Sequence, residues 1–445
     1  MKVPYFLILM ALVLSGCGTF EVSVQQTEPA APPVTLPATA VPSSPQPASR
    51  PVFVAYVKEG SIQLWDEAAN ETRSVFISGD VVRVTMSPDG QVIAFLRRTL
   101  IEKPELLEKL SLWAVERDGR NPRQLIAADE LHQRLAASDT DSSNIDQLEW
   151  IPGTHRLAYT ADKYYLPGQG IVFSGDVYAV DADSGADSVL VSGVTSEGYD
   201  AFLVIPSPDG KQLALLSNTV LSFANTDGSD FRPSVLTYET FSRGDSQNVM
   251  VRGVWTQDSR SFLVTAPTSI DPYNDINFTI MRVPADGSAP EALASASQSN
   301  PGSVTFSPDG RRFAYVQYGG DGTLAPLGWF ITPLPEGIGP LAVPYSMDFT
   351  GYANIHWSPA SQAFTGKMLQ LCPDATRDTD VCDAPLDFSG GELDSLRWLD
   401  GNRLLYMVRD APVLYLASLD GRAAPVVTWS QPDLSHSYSA ALAGQ

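Results

Sequence analysis

Met86-Ser87-Pro88-Asp89-Gly90 is followed almost at once by the apolar run Val92-Ile93-Ala94-Phe95. The pattern returns at Pro206-Ser207-Pro208-Asp209-Gly210 before Leu213-Ala214-Leu215-Leu216, and at Phe306-Ser307-Pro308-Asp309-Gly310 before Phe313-Ala314-Tyr315-Val316. Looser copies begin at Trp150-Ile151-Pro152-Gly153, Trp255-Thr256-Gln257-Asp258, Trp357-Ser358-Pro359-Ala360 and Trp398-Leu399-Asp400-Gly401. Each leads into another short apolar run. Such a copy reads as two strands joined by a tight turn. Pro presets φ, Asp bonds back to its own backbone, and Gly accepts a positive φ.

A second turn follows in several copies, at Asp118-Gly119, Ser184-Gly185, Asp227-Gly228, Asp286-Gly287 and Asp420-Gly421. Asp-Gly between apolar runs is a strong hairpin signal. Two hairpins give three strands, and a further run such as Ser188-Val189-Leu190-Val191 supplies a fourth. Four antiparallel strands per repeat make one blade of a β-propeller, and a lone blade cannot bury both faces. Composition agrees. The 445 residues are 44% hydrophobic and 18% charged, with 33 Gly and 34 Pro, which fits a large core with many turns and not a helical bundle.

These copies resemble the WD40-like repeat of TolB-type β-propellers, over about residues 52–430. The resemblance implies an all-β ring and carries little about function, since propellers bind many things. The early unit Val52–Tyr56 and Ile62–Trp65 reads as later strands of a blade without its innermost strand, which the stretch Ser435–Leu442 can supply. Seven complete copies plus this composite predict eight blades, with seven as the alternative, in a ring closed by the N- and C-terminal strands.

Three segments follow: residues 1–16, residues 17–50 and the propeller of residues 51–445. Lys2 precedes the apolar run Val3–Leu14, too short to span a bilayer core of about 30 Å. Leu14-Ser15-Gly16-Cys17 resembles the bacterial lipobox. That resemblance implies cleavage before Cys17, its modification with lipid including palmitate-like chains, and display on the bacterial membrane outside the cytoplasm. Residues 18–50 hold seven prolines among Ala, Thr and Ser and read as a disordered, semi-rigid tether reaching up to about 100 Å. In an oxidising compartment Cys372 and Cys382, with nine residues between them, are expected to pair; two free thiols are the alternative.

Charge and motifs exclude several functions. With 29 Lys+Arg against 51 Asp+Glu the net charge is −22, unsuited to nucleic acid. The four histidines, His132, His155, His356 and His436, form no metalloprotease pattern. No nucleophile elbow or nucleotide-binding glycine pattern occurs. The aspartates of the repeated turns are explained by the turns, and the tryptophans Trp150, Trp255, Trp357 and Trp398 by packing between blades. Insertions, where binding groups concentrate, are read at Ile101–Leu110, Ala127–Asp146, Lys163–Gly170 and Pro267–Asn277. The candidate ligand-contact residues are Tyr164, Tyr165, Tyr273 and His356.

The expected function is a non-enzymatic binding or scaffold module for a protein or envelope polymer, monomeric, without cofactor and without a resident metal. One alternative is a glycan-active hydrolase or lyase, whose nearest inner-strand carboxylates are Glu149 and Asp394. Another is a Ca²⁺-dependent adhesin using oxygen-rich loops such as Asp181–Asp187 or Asp271–Asn277.

Overall fold

The computed structural model describes residues 50–101, 107–137, 141–165, 170–194, 202–239, 242–243, 247–248, 251–270, 276–299, 304–318, 326–342, 347–348, 355–357, 363–365, 370–371, 393–408, 412–418, 422–429 and 437–443. Cys17, Tyr273, Cys372 and Cys382 lie outside them. His356 and Tyr165 lie on described strands, Ile355–Trp357 and Arg156–Tyr165.

The repeated turn builds itself as its sequence predicts. Ser87 N–H donates to Val92 O (2.8 Å) and Gly90 N–H to Ser87 O (2.8 Å). Ser87 Oγ donates to Asp89 Oδ1 (2.6 Å), which also accepts Gln91 N–H (3.1 Å). The same lock recurs at Ser207–Asp209, at Ser307–Asp309 and, with Thr for Ser, at Thr256–Asp258. The turn serines are fully buried, so their hydroxyls need these partners. Gly210 and Gly310 both have φ of +68°, and a Cβ on them would lie 2.1 Å from Pro152 O and 1.9 Å from Gly339 O. The glycines therefore serve both the turn and the close approach of another stretch of backbone, for Gly210 the turn of the preceding sheet and for Gly310 the segment after Pro326–Pro333.

Strands flanking these turns pair as antiparallel meanders. The clearest is Phe202–Pro206, Gln212–Ser217, Val220–Asn225 and Arg232–Thr237, adjacent in chain order. Val81–Met86, Val92–Ile101, Leu107–Glu116 and Arg123–Ile126 form another. Asp141–Trp150, Arg156–Tyr165, Val177–Asp181 and Asp187–Val191 form the next, joined to it by one parallel bridge, Lys109 to Ser143. Gly253–Trp255, Ser261–Ile270, Ile276–Pro284 and Glu291–Ser299 continue the series. Leu393–Trp398, Arg403–Val408, Val413–Ser418 and Ala423–Thr428 form the last.

The first sheet is composite. Tyr438–Leu442 pairs with Val52–Lys58, in register Val52 to Leu442 and Tyr56 to Tyr438, followed by Ser61–Asp66 and Glu71–Phe76. The pairing expected between the two ends of the repeat region is present.

Cores lie between sheets. Ala55, Leu64, Met86 and Phe95 join the composite sheet to the one after it. Leu157, Tyr159, Leu112 and Ala94 join the next pair. Val54, Leu405, Leu414 and Trp429 join the last sheet to the composite one. A sheet that buries both faces in this way must stack on its neighbours.

The stretches read as insertions are more ordered than expected. Ala127–Asp146 contains the helix Ala128–Arg134 and the start of the strand Asp141–Trp150. Leu131 is fully buried, and Arg134 is bound to Asp187 and to the Tyr159 hydroxyl. One apolar and one charged anchor thus fold a segment whose polar composition reads as loop. Ile101, Lys163–Tyr165 and Pro267–Ile270 are continuations of strands, not loops.

Candidate functional site on the inner strands

The first strand of each meander, termed its inner strand, ends the four-strand run, with Met347–Asp348 adding a short pairing beyond Leu393–Trp398; these strands are laced to one another by side chains. Arg397 donates to Ala440 O at 2.8 Å and to Ser439 Oγ at 3.4 Å. Ser437 and Ser439 hydroxyls accept Val84 and Met86 N–H, both at 3.0 Å. Arg83 donates to Asp146 O (2.8 Å), and Gln147 Oε1 accepts Val204 N–H (2.7 Å). Five successive inner strands are connected without a gap. Inner-strand edges carry unpaired backbone groups, and these bonds satisfy several of them.

The tryptophans act in the same seams. Trp150 Nε1 donates to Thr85 Oγ1 (3.1 Å), Trp255 Nε1 to Ile205 O (2.9 Å) and Trp357 Nε1 to Thr305 Oγ1 (3.1 Å). Each partner is the residue just before the first residue of a repeated turn motif. The packing role expected for them holds for these three, and Trp398 is buried as well.

Carboxylates gather on the strand Asp141–Trp150. Its register slips between Ile145 and Leu148, so Asp146 and Gln147 oppose a shortened stretch of the partner strand. A bulge of this kind re-aims side chains, and Asp146 and Glu149 both reach solvent. The protein around Glu149 still raises its pKa, against the opposing pull of Arg83 and Arg397. Burial likewise raises Asp146, with Arg83 opposing. Asp162 is 5% exposed; burial first, and the Asp146 charge second, push it up to about 6, although Asn144 Nδ2 donates to it at 3.3 Å. Arg252, just before an inner strand, is lowered by burial. Sequence reasoning singled out Glu149 and missed Asp162, whose Asp-Lys context looks like ordinary surface.

The other candidates are placed without being brought together. Tyr164 is half-buried and lies opposite Ser142 on one side and Ile171 on the other. His356 pairs with Phe364 along the backbone. Among the described residues no group of three His, Cys, Asp or Glu side chains is arranged to hold a metal ion, and no helix is long and apolar enough to cross a membrane.

The two ends of the meanders differ. First and third connections share one end and are uniformly short: 87–91, 151–155, 207–211, 256–260 and 307–311, with 117–122, 182–186, 226–231 and 285–290. The opposite end carries the second connections and the links between sheets, which range from the two residues 218–219 and the four residues 77–80 to the much longer separations of Ile126 from Asp141, Val191 from Phe202 and Thr237 from Gly253. The chain enters at the short-turn end, where Ala443 N–H donates to Pro51 O (2.9 Å).

Strand order, register and inter-sheet cores define a protein of the β-propeller class. No protein-family model matches the sequence, and no curated protein matches it. In structure the chain is similar to the β-propeller domain of the Trilobed protease from Pyrococcus furiosus, at 11% identity and a TM-score of 0.43, covering 80% of this chain and 98% of that one. It is also similar to an oligogalacturonate lyase from Vibrio parahaemolyticus (9% identity, TM-score 0.43, 82% and 91% covered). A third similar structure is Citrobacter koseri AztD (10% identity, TM-score 0.41, 88% and 97% covered).

Proposed function

We propose that this chain is a lipid-anchored binding module, an eight-bladed closed ring displayed outside the cytoplasm and presenting its long connections to a protein or envelope polymer. The observation that carries the reading is the division between the two ends. Tight turns and the entry of the chain occupy one, and the long, dissimilar connections occupy the other. Binding groups concentrate where connections vary. The shared core of the last and composite sheets, with their strand pairing, supports the closed ring. The lipobox-like Leu14–Cys17 and the Pro-rich residues 18–50 support the anchor.

Two measurements test it. Cys17→Ser is expected to move the protein from the membrane to the soluble fraction, because stable anchoring needs the acyl chains; unchanged fractionation removes the anchor from the account. A photo-crosslinking side chain at position 164, at the variable end, is expected to capture a partner in intact cells. The same side chain at position 211, at the short-turn end, is not. The reverse pattern overturns the assignment of faces.

A second reading rests on the raised carboxyls of Asp146 and Glu149. Carboxyls held above their ordinary range suit acid–base work on a glycosidic bond. Turnover of glycans by the native chain and its loss in Glu149→Gln would establish this reading; inactivity on a broad glycan panel retires it.

A further inference from the structure

His155 lies in the short turn 151–155 and meets two carboxylates from two other turns. Its Nδ1 is 2.8 Å from Asp183 Oδ2, in the turn 182–186 of its own sheet. Its Nε2 is 3.0 Å from Asp89 Oδ2, in the Ser-Pro-Asp-Gly turn of the preceding sheet. A neutral imidazole has one N–H, so it can donate to only one of them and turns a lone pair towards the other. Only the imidazolium donates to both.

We propose that His155 is an acid-strengthened clamp, which fastens the short-turn end of the seam between these two sheets when protonated and releases it when neutral. Three further bonds across this seam come from groups that keep their protonation near neutrality: Trp150 Nε1 on Thr85, Arg83 on the backbone oxygen of Asp146 and the Lys109–Ser143 bridge. The carboxyls of Asp146, Glu149 and Asp162 lie on the strands, away from the His155 turn. Loss of the proton therefore loosens one end and leaves the sheets together.

The charges around the imidazole favour the protonated form. Asp89 uses Oδ1 for Ser87 and Gln91 and keeps Oδ2 for His155. Asp183 also meets Arg123 Nη2 at 3.4 Å, while Arg123 donates through Nε to Ala182 O. Arg156 directs Nη1 to Thr226 O at 3.2 Å, and Asp181 is bound to Ser184. Burial lowers the His155 pKa, and the bonds and charges of Asp89 and Asp183 outweigh it, raising the value overall. The equivalent position two seams further along the chain shows the contrast: there Asp209 N–H donates to the hydroxyl of Ser259, at 3.0 Å, a partner with no charge to lose.

The test uses the full chain in detergent and two mass-spectrometric readouts. Exchange of the histidine C2 hydrogen across pH gives the midpoint of His155, expected above the ordinary value of about 6.5; a midpoint at or below it overturns the clamp. Amide exchange, corrected for its intrinsic pH dependence, is then compared at pH 5.5 and 8.5. Protection of 87–91 and 151–156 is expected to fall at least threefold at the higher pH, with 207–211 and 256–260 unchanged as the internal control. His155→Gln keeps a polar side chain that does not titrate and is expected to abolish the difference. An equal fall in that variant, or none in the native chain, overturns the proposal. The result is independent of any ligand or anchor.

Discussion

Arg403 and Glu67 meet at 2.5 Å across 336 positions of sequence. The same guanidinium holds Asp400 Oδ2 at 2.7 Å and the carbonyl of Arg50 at 2.6 Å, and Glu67 Oε2 accepts Val52 N–H at 3.0 Å. One side chain of the last sheet thus fastens the entry of the chain and the first strand of the repeat region. Its side chain is 8% exposed, so both carboxylates are left without their countercharge if it is removed. Breaking a buried pair from one side costs about 3–5 kcal/mol. Glu67 and Asp400 are each 29% exposed, which places Arg403→Met near the lower figure. Urea unfolding measures the loss, and amide exchange in 52–58 and 438–442 should rise with it. A neutral substitution would mean that the inter-sheet core alone holds the ends together.

The turn glycines make a sharper claim about geometry. Ala at 210 or 310 meets both a positive φ and a carbonyl within about van der Waals overlap of its Cβ. Strained backbone conformations cost about 1–3 kcal/mol each, and the clash with Pro152 O or Gly339 O adds to that. Gly153→Ala is the control, with a φ of +75° and nothing within 4 Å of the added Cβ. Thermal unfolding is expected to rank Gly210→Ala and Gly310→Ala below Gly153→Ala; equal effects would show that strain alone matters.

The sequence patterns that could be read were those with local causes. Ser-Pro-Asp-Gly specifies its turn within five residues, so the strands on each side and their four-fold grouping followed. The composite sheet was legible because the early unit lacked an inner strand and the last residues supplied one. Segment 127–146 was misread because its order comes from distant partners: Arg134 is held by Asp187 and Tyr159, and no local pattern announces them. The same holds at the candidate site. Glu149 stood out beside Trp150, but the raised pKa of Asp162 depends on the bulge at Ile145–Leu148, which periodicity does not reveal.

Indole hydrogen bonds between sheets should carry measurable stability. Trp255 is 1% exposed and its Nε1 is bonded to Ile205 O. Trp255→Phe keeps an aromatic ring, leaves that carbonyl without its donor and opens a small void. An unsatisfied buried acceptor costs about 1–3 kcal/mol, so a loss of about 2 kcal/mol is expected in denaturant titration. Trp150→Phe should cost less, because Thr85 Oγ1 can rotate to another partner. Finding the reverse order would mean that ring packing outweighs the indole hydrogen bond.

Asp162 yields a prediction with a definite pH sign. Its folded pKa, about 6, lies above the ordinary value of about 3.9. Between those two values the folded chain binds more protons than the unfolded one, so stability falls as pH rises through the window. Above about pH 6 the full cost is present; below about pH 4 it is absent. At about 1.4 kcal/mol per unit, the cost approaches roughly 3 kcal/mol. Asp162→Asn keeps an oxygen to accept from Asn144 Nδ2 and removes the buried charge, along with its repulsion from Asp146. The variant is therefore expected to be more stable than the native chain at pH 8 and nearly equal to it at pH 4. Urea unfolding at the two pH values decides it: a gain that does not depend on pH would trace the effect to packing and leave the carboxyl ordinary.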